Sequence, residues 1–317
     1  MIVRWSLDEL RPTLAEVGIE RPFLIASRRW DALDLPPHVG RLSQLPATDP
    51  QVPAEADGIL VVGGGSAIDT AKHASAESGK PVVHVPTTYS GAEWTTSYGI
   101  RSPDRIIRGG GGGAQPVALV YDVALTLDLP PEVTAGTALN GLAHCAEALY
   151  VKGRNPEGDE QALAGATRIV HALPQVLAQP HNAQARRELL EGAAHAGHAL
   201  ALAGLGLAHA MAQALGGTYG LPHGAMNALC LPPALEFNAP LAPEAVDRFA
   251  EAVGGGDAVQ TTRALAANGG FENLRQFGVP EADLARVAEF AAGRGGNQNN
   301  PRPATAEEIL TLFRGIY

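Results

Sequence analysis

Residues 59–72 read Ile-Leu-Val-Val-Gly-Gly-Gly-Ser-Ala-Ile-Asp-Thr-Ala-Lys, and the order of those residue types decides the fold class. The apolar, β-branched start predicts a buried strand. The three glycines predict a turn in which backbone can approach a ligand where a Cβ would collide. From Ser66 onward the pattern predicts a helix whose first N–H groups and dipole suit a pyrophosphate. Ser66 itself can cap that helix or donate to a phosphate oxygen. The spacing is neither GxGxxG nor a P-loop, so on these residues alone a plain strand–helix turn stays open beside phosphate binding.

Similar apolar runs lie on both sides, at Pro22–Ala26, Gly58–Val62, Pro81–Val85 and Val117–Tyr121, and Leu7–Val17 reads as a helix. Strands separated by long crossovers imply a parallel sheet covered by helices on both faces. The proline-containing stretch 33–55 reads as an irregular connection. The third run continues into Pro86-Thr87-Thr88-Tyr89-Ser90-Gly91-Ala92-Glu93, which sets hydroxyls at the carboxyl end of a strand. Open α/β sheets bind ligands at that edge, so two polar turns on adjacent strand ends predict a dinucleotide crevice. The plainer reading has Thr87 and Thr88 capping the next element. Arg28 and Arg29 follow the first run, where an acidic residue would bind an NAD ribose. Arginine there can meet a 2′-phosphate, or form a solvated surface pair.

Near Leu127 the character changes to helix upon helix, rich in Ala and Leu, opened by Pro130-Pro131 in a helix first turn. This predicts an α/β domain over 1–128 and an all-helical domain over 129–317. The Ala/Gly-rich stretch 192–217 reads as one buried helix. The run Gly109–Gly113 and the segment Asn297–Pro303 read as surface loops, and Ala306–Ile316 as a last helix.

Of 317 residues, 45% are hydrophobic and 18% charged, which suits a full core. A formal charge of -10 gives nucleic-acid binding no electrostatic basis. Cys145 and Cys230 form no disulfide framework or CxxC site and read as small core residues. With no apolar leader and no uninterrupted apolar stretch of membrane-spanning length, the expected setting is cytoplasmic, with no membrane partner.

The helical half carries the chemistry-bearing side chains. Asn140 and His144 are four apart, and so are His209 and Gln213, so each pair shares a helix face. Leu221-Pro222-His223-Gly224 follows a Gly216-Gly217 break. His144, His209 and His223, with Asn140, are expected to converge from two helices and a loop. Three imidazoles with an open position are a catalytic metal arrangement. His195 and His198, in Ala-rich surroundings, read as hydrogen-bonded core histidines.

Taken together, GGGSAIDTAK at 63–72, PTTYSGAEWT at 86–95, the Asn140/His144 helix and HAMAQALGGTYGLPHG at 209–224 resemble the iron-containing alcohol dehydrogenase family. The resemblance spans most of residues 55–240. It implies the dehydroquinate synthase-like, iron-type alcohol dehydrogenase fold: a Rossmann-like domain binding NAD or NADP and an all-α domain holding a metal, Fe or Zn. It assigns Gly64, Gly65 and Ser66 to the pyrophosphate, and Asp69, Thr87, Thr88 and Ser90 to the rest of the cofactor site. The family's ligands, one Asp and three His, fall on Asn140, His144, His209 and His223. The Asp position is Asn here, and a neutral amide binds a divalent ion far less well than a carboxylate. Gln213 stands where the family has a further histidine.

The maleylacetate reductase branch looks closer, on Asn140–Tyr150, Pro86–Glu93 and the NPRP at 300–303. That branch reduces the enone of maleylacetate to 3-oxoadipate. The resemblance therefore implies an NAD(P)H-dependent oxidoreductase, expected as a homodimer, whose small-molecule substrate is a carboxylic acid or alcohol bound between the domains. His144, His209 and His223 are the expected catalytic residues, with a protonated imidazole holding a carboxylate or donating the proton where no metal is bound. The alternatives are a metal-dependent dehydrogenase of small alcohols or aldehydes, a sugar-phosphate lyase or glycerol dehydrogenase on the same fold, and a degenerate nucleotide- or acid-binding relative.

Overall fold

A computed structural model describes all residues, Met1–Tyr317. The strands are β1 (Ile2–Arg4), β2 (Pro22–Ala26), β3 (Gly40–Leu42), β4 (Gly58–Gly63), β5 (Pro81–Pro86), β6 (Tyr98–Arg101), β7 (Ile107–Gly111) and β8 (Gln115–Val120). Helices α1 (Leu10–Glu16) and α2 (Gly65–Ser78) lie among them. After β8 the chain is helical: α3 (Pro131–Ala148), α4 (Pro156–Ala178), α5 (Ala183–Ala203), α6 (Leu207–Tyr219), α7 (His223–Asn238), α8 (Pro243–Ala252), α9 (Ala258–Asn268), α10 (Leu284–Ala292), α11 (Gly295–Asn299) and α12 (Ala306–Gly315). The chain forms two compact units: residues 1–88 with 92–126, and residues 89–91 with 127–317.

The first unit is a six-stranded sheet in the order β1-β8-β5-β4-β2-β3, parallel at every pairing. β2 and β4 are buried throughout, which is why they read as unbroken apolar runs. Leu24, Leu60, Val62 and Val83 pack on one face, and Ile25, Ile59, Val61 and Val82 on the other. The four expected strands are present. β3 lies inside the stretch read as irregular; a three-residue edge strand carries too short a pattern to stand out.

The glycine run is a correction. Gly109, Gly110 and Gly111 are not a surface loop but part of β7, antiparallel to β6. Tyr98 accounts for two of these glycines. A Cβ at Gly110 would lie 2.8 Å from the Tyr98 carbonyl oxygen, and one at Gly111 2.8 Å from its hydroxyl.

The second unit has no strand. α3 is buried along nearly its whole length, so it forms the centre of this unit. The stretch 192–217 is not one helix: α5 and α6 meet at a bend of 101° across Gly204–Gly206. The expected break at Gly216-Gly217 is likewise displaced, because α6 continues to Tyr219 and stops at Gly220, whose φ is +68°. Asn297–Pro303 begins inside α11, and Asn297 and Asn300 are buried. No single helix is long and apolar enough to cross a membrane.

Candidate functional site

The turn between β4 and α2 is built as a cradle. Gly64 is the N-cap of α2, with φ -88° and ψ -169°, and no side chain caps the helix. The first-turn N–H groups of Gly65 and Ser66 therefore keep no intrahelical acceptor. Ser66 sits inside that first turn, so its expected capping role is corrected. A Cβ on Gly63 would lie 2.6 Å from Ala67 Cβ, and one on Gly64 2.6 Å from the Thr88 methyl. Only glycine lets the strand enter the helix this tightly beside Thr88.

Thr87 N–H donates to Gly63 O at 3.1 Å, tying the two strand ends together. Thr88 Oγ1 is buried and has no partner. An orphaned hydroxyl beside uncapped N–H groups fits a phosphate. Asp69 lies a turn further on and is held by the buried Lys72 at 3.2 Å. Lys72 also donates to Ala92 O, Thr95 Oγ1 and Ser97 O, which fixes the segment after β5.

The second unit brings the three expected histidines together. His144 and His209 stack with ring centroids 4.2 Å apart and planes 9° apart, and His223 lies 5.9 Å from His209. His144 and His209 are buried, and His223 is half-buried. Asn140 Nδ2 donates to Ser90 O and to His144 Nε2, both at 2.9 Å. Because His144 Nε2 accepts that bond, its ring proton belongs on Nδ1. Asn227 Nδ2 donates to Asn140 Oδ1 at 2.8 Å and faces His223 Nε2 at 3.0 Å.

Glu147, fully buried, lies one turn beyond His144 on the same face of α3. Its Oε2 accepts from Gly206 N–H at 2.7 Å and its Oε1 from His209 N–H at 3.1 Å, so it caps α6 from outside. The same Oε2 lies 2.6 Å from His209 Nδ1. The bend between α5 and α6 is what delivers those donors to the carboxylate.

Burial sets the protonation states. Desolvation pushes His209 down to about 3. Desolvation and the neighbouring His209 hold His144 well below the usual imidazole range. Desolvation lifts Glu147 to about 7 against the backbone donors that pull it down. The expectation of a protonated imidazole is therefore corrected for His144 and His209: both rings are neutral near pH 7. His144 Nδ1 and His209 Nε2 are buried without partners, a costly arrangement that marks atoms waiting for a ligand. Ser90 Oγ is a third such atom.

The expected metal set Asn140, His144, His209 and His223 does assemble, but not as ligands. Imidazole lone pairs lie in the ring plane, so two rings stacked nearly parallel direct them side by side rather than onto one ion. The oxygen of Asn140 accepts from Asn227, and Nε2 of His144 is occupied by Asn140. No group of three or more His, Cys, Asp or Glu side chains has metal-holding geometry. As arranged, these residues do not fit a divalent cation.

Sequence reasoning missed Glu147 and Asn227. Both stand at helical spacing from residues that were singled out, Glu147 three after His144 and Asn227 four after His223. His195 and His198 are half-buried rather than core residues. His195 bonds to Gln161 at 2.7 Å, and His198 lies 3.8 Å from Glu157. Cys145 and Cys230 are core residues as expected. Gln213 is half-buried one turn past His209.

Comparison with known proteins identifies the family. Residues 51–122 match the family described as iron-containing alcohol dehydrogenase, and residues 134–317 match the C-terminal part of the Fe-containing alcohol dehydrogenase family. The chain is similar to maleylacetate reductase 1 of Cupriavidus pinatubonensis, at 36% identity over 266 residues, 82% of this chain and 75% of the relative. It is similarly 36% identical to the maleylacetate reductase of Sphingobium indicum over 260 residues, 82% and 73% of the two chains. Among solved structures, the maleylacetate reductase of a Rhizobium species superimposes with a TM-score of 0.86 at 28% identity, covering 100% of this chain and 96% of that one. The iron-containing alcohol dehydrogenase of Corynebacterium glutamicum gives 0.86 at 29% identity, with 100% and 94% covered.

Proposed function

The chain belongs to the iron-containing alcohol dehydrogenase family, and from that membership we propose that it is a maleylacetate reductase-type enzyme acting on the enone of a small carboxylic acid. It is an NAD(P)-dependent oxidoreductase of the expected fold class. The observation that carries the substrate reading is the neutral, amide-tied histidine cluster. It offers a hydrogen-bond donor and a proton source on buried rings, in an arrangement that does not fit a Lewis-acid ion.

The cradle at Gly64, Gly65 and Ser66, with Thr88 beside it, would hold the cofactor phosphates. Reduced nicotinamide, when bound, supplies a hydride, which an enone accepts at the carbon conjugated to its carbonyl. Charge then moves to the carbonyl oxygen, where a preorganised donor is worth several kcal/mol. We assign that role to His144 Nδ1–H, whose tautomer is set by the Asn140 amide. His209 and Glu147 supply the proton. With Glu147 protonated, its Oε2–H donates to His209 Nδ1 and the ring carries its hydrogen on Nε2. Nε2–H gives that hydrogen to the substrate, and Glu147 passes its own to Nδ1. The carboxylate that remains is stabilised by Gly206 N–H and His209 N–H.

The test is a panel of substrates with NADH and NADPH, followed by nicotinamide absorbance. Maleylacetate is expected to be reduced far faster than simple aldehydes or ketones, with no requirement for added Fe or Zn. Turnover confined to aldehydes and alcohols and dependent on added metal would support the metal-dependent dehydrogenase instead. No turnover with intact nucleotide binding would support a degenerate relative.

A further inference from the structure

The loop after β2 carries an arginine cluster that the reaction chemistry leaves unused. We propose that it is a 2′-phosphate subsite, which makes the enzyme select NADPH over NADH. The proposal rests on the nicotinamide-dependent reading above and adds the choice of cofactor.

Topology puts the loop in the right place. In the order β1-β8-β5-β4-β2-β3, the connection leaving β4 runs to β5 in one direction and that leaving β2 runs to β3 in the other. Their carboxyl ends therefore flank a switch point, the crevice where open α/β sheets take their ligands. Ala26 pairs with Val62 in register, so Ser27 and Arg28 stand level with the Gly63–Gly65 turn. A dinucleotide with its pyrophosphate on the N-terminus of α2 would set its adenosine ribose against the loop after β2.

An NAD site needs a carboxylate there to bind the ribose diol. This loop reads Ser27-Arg28-Arg29-Trp30-Asp31, and its single carboxylate is already committed. Asp31 Oδ1 is paired with Arg41 Nη1 at 2.7 Å. Arg41, on β3, also donates from Nε to Ala26 O at 3.1 Å and from Nη2 to Ser27 O at 2.8 Å. These bonds pin the loop at the strand end. Arg29 lies over the Trp30 ring, 5.0 Å from its centroid, and Arg28 is exposed at the rim. Asp31 is thus neutralised by Arg41, and Arg28 adds an exposed positive charge at this strand end in a protein whose overall charge is -10. Guanidinium forks match phosphate oxygens bidentately, and Arg28 is the group best placed to do so.

The test is calorimetric titration of the full chain with NADPH, NADH, 2′-phosphorylated AMP and 5′-AMP. Charge-assisted hydrogen bonds are worth enough that the wild type is expected to bind NADPH at least about tenfold more tightly than NADH. The adenosine fragments are expected to rank the same way. Arg28→Ala is expected to weaken NADPH by about tenfold and leave NADH within about twofold, and Arg28→Asp to reverse the preference. Equal affinities in the wild type, or equal loss of both cofactors in Arg28→Ala, would overturn the subsite while leaving nicotinamide binding intact. Binding of neither dinucleotide would overturn both readings.

Discussion

Asn140 has two amide hydrogens, and both orient something: one fixes Ser90 O, the other fixes the tautomer of His144. A carboxylate at this position would offer no donor to either. In this chain the amide ties His144 into a hydrogen-bonded network in which its ring stacks on His209. Glu147 is the other decisive residue. In the proposed relay its proton replaces the one His209 gives to the substrate, and burial lifts its pKa to about 7. The loaded form exists below about 7, so reduction is expected to fall as pH rises through that value. Glu147→Gln should lower kcat about 100-fold and erase that limb of the profile. KM for the nicotinamide should hold, since Glu147 lies in the other compact unit from the cradle. An unchanged pH–rate profile in the variant would mean that the proton comes from elsewhere.

Among the elements, β5 and the turn after it show how a strand end is held by buried polar groups. Tyr121 O–H donates to Glu93 Oε1 and Trp94 Nε1–H to Tyr121 Oη, both at 2.8 Å. Burial lifts Glu93 from its ordinary 4.5 to about 7. The folded state therefore holds this proton more tightly than the unfolded chain does. The stability it contributes is complete below pH 4.5 and is lost as pH rises through about 7. Glu93→Gln keeps an acceptor for Tyr121 and cannot ionise. It should match the wild type near pH 4 and exceed it at pH 8 by about 3 kcal/mol, as read from urea unfolding. A variant less stable at both pH values would contradict this. The same segment shows what a sequence reveals. β4, β5 and the glycine turn were legible because buried parallel strands must be continuous apolar runs. Asn140 and His144 were legible from helical spacing. Glu147 was not, because a glutamate on a helix ordinarily faces water. Nothing local says that a bend ending 59 residues later, at Gly206, will bring N–H donors to it. The β7 glycines were not legible because glycine disfavours strands, and the Tyr98 carbonyl and ring that crowd Gly110 and Gly111 are brought there by the tertiary pairing.

Across the whole molecule, each compact unit carries its own set of unsatisfied polar groups. Uncapped helix N–H groups and an orphaned threonine suit phosphate in the first, and desolvated imidazoles suit a polarised carbonyl in the second. Thr88 and Ser90, two residues apart in the chain, belong to different units. The most direct test is steady-state oxidation of reduced nicotinamide with maleylacetate by the wild type and by His209→Ala, each dialysed against chelator. The wild type should turn over undiminished, while His209→Ala should lose at least about 100-fold in kcat with nucleotide affinity intact. Near wild-type turnover by His209→Ala, or loss of wild-type activity on dialysis with recovery on adding Fe or Zn, would contradict the account.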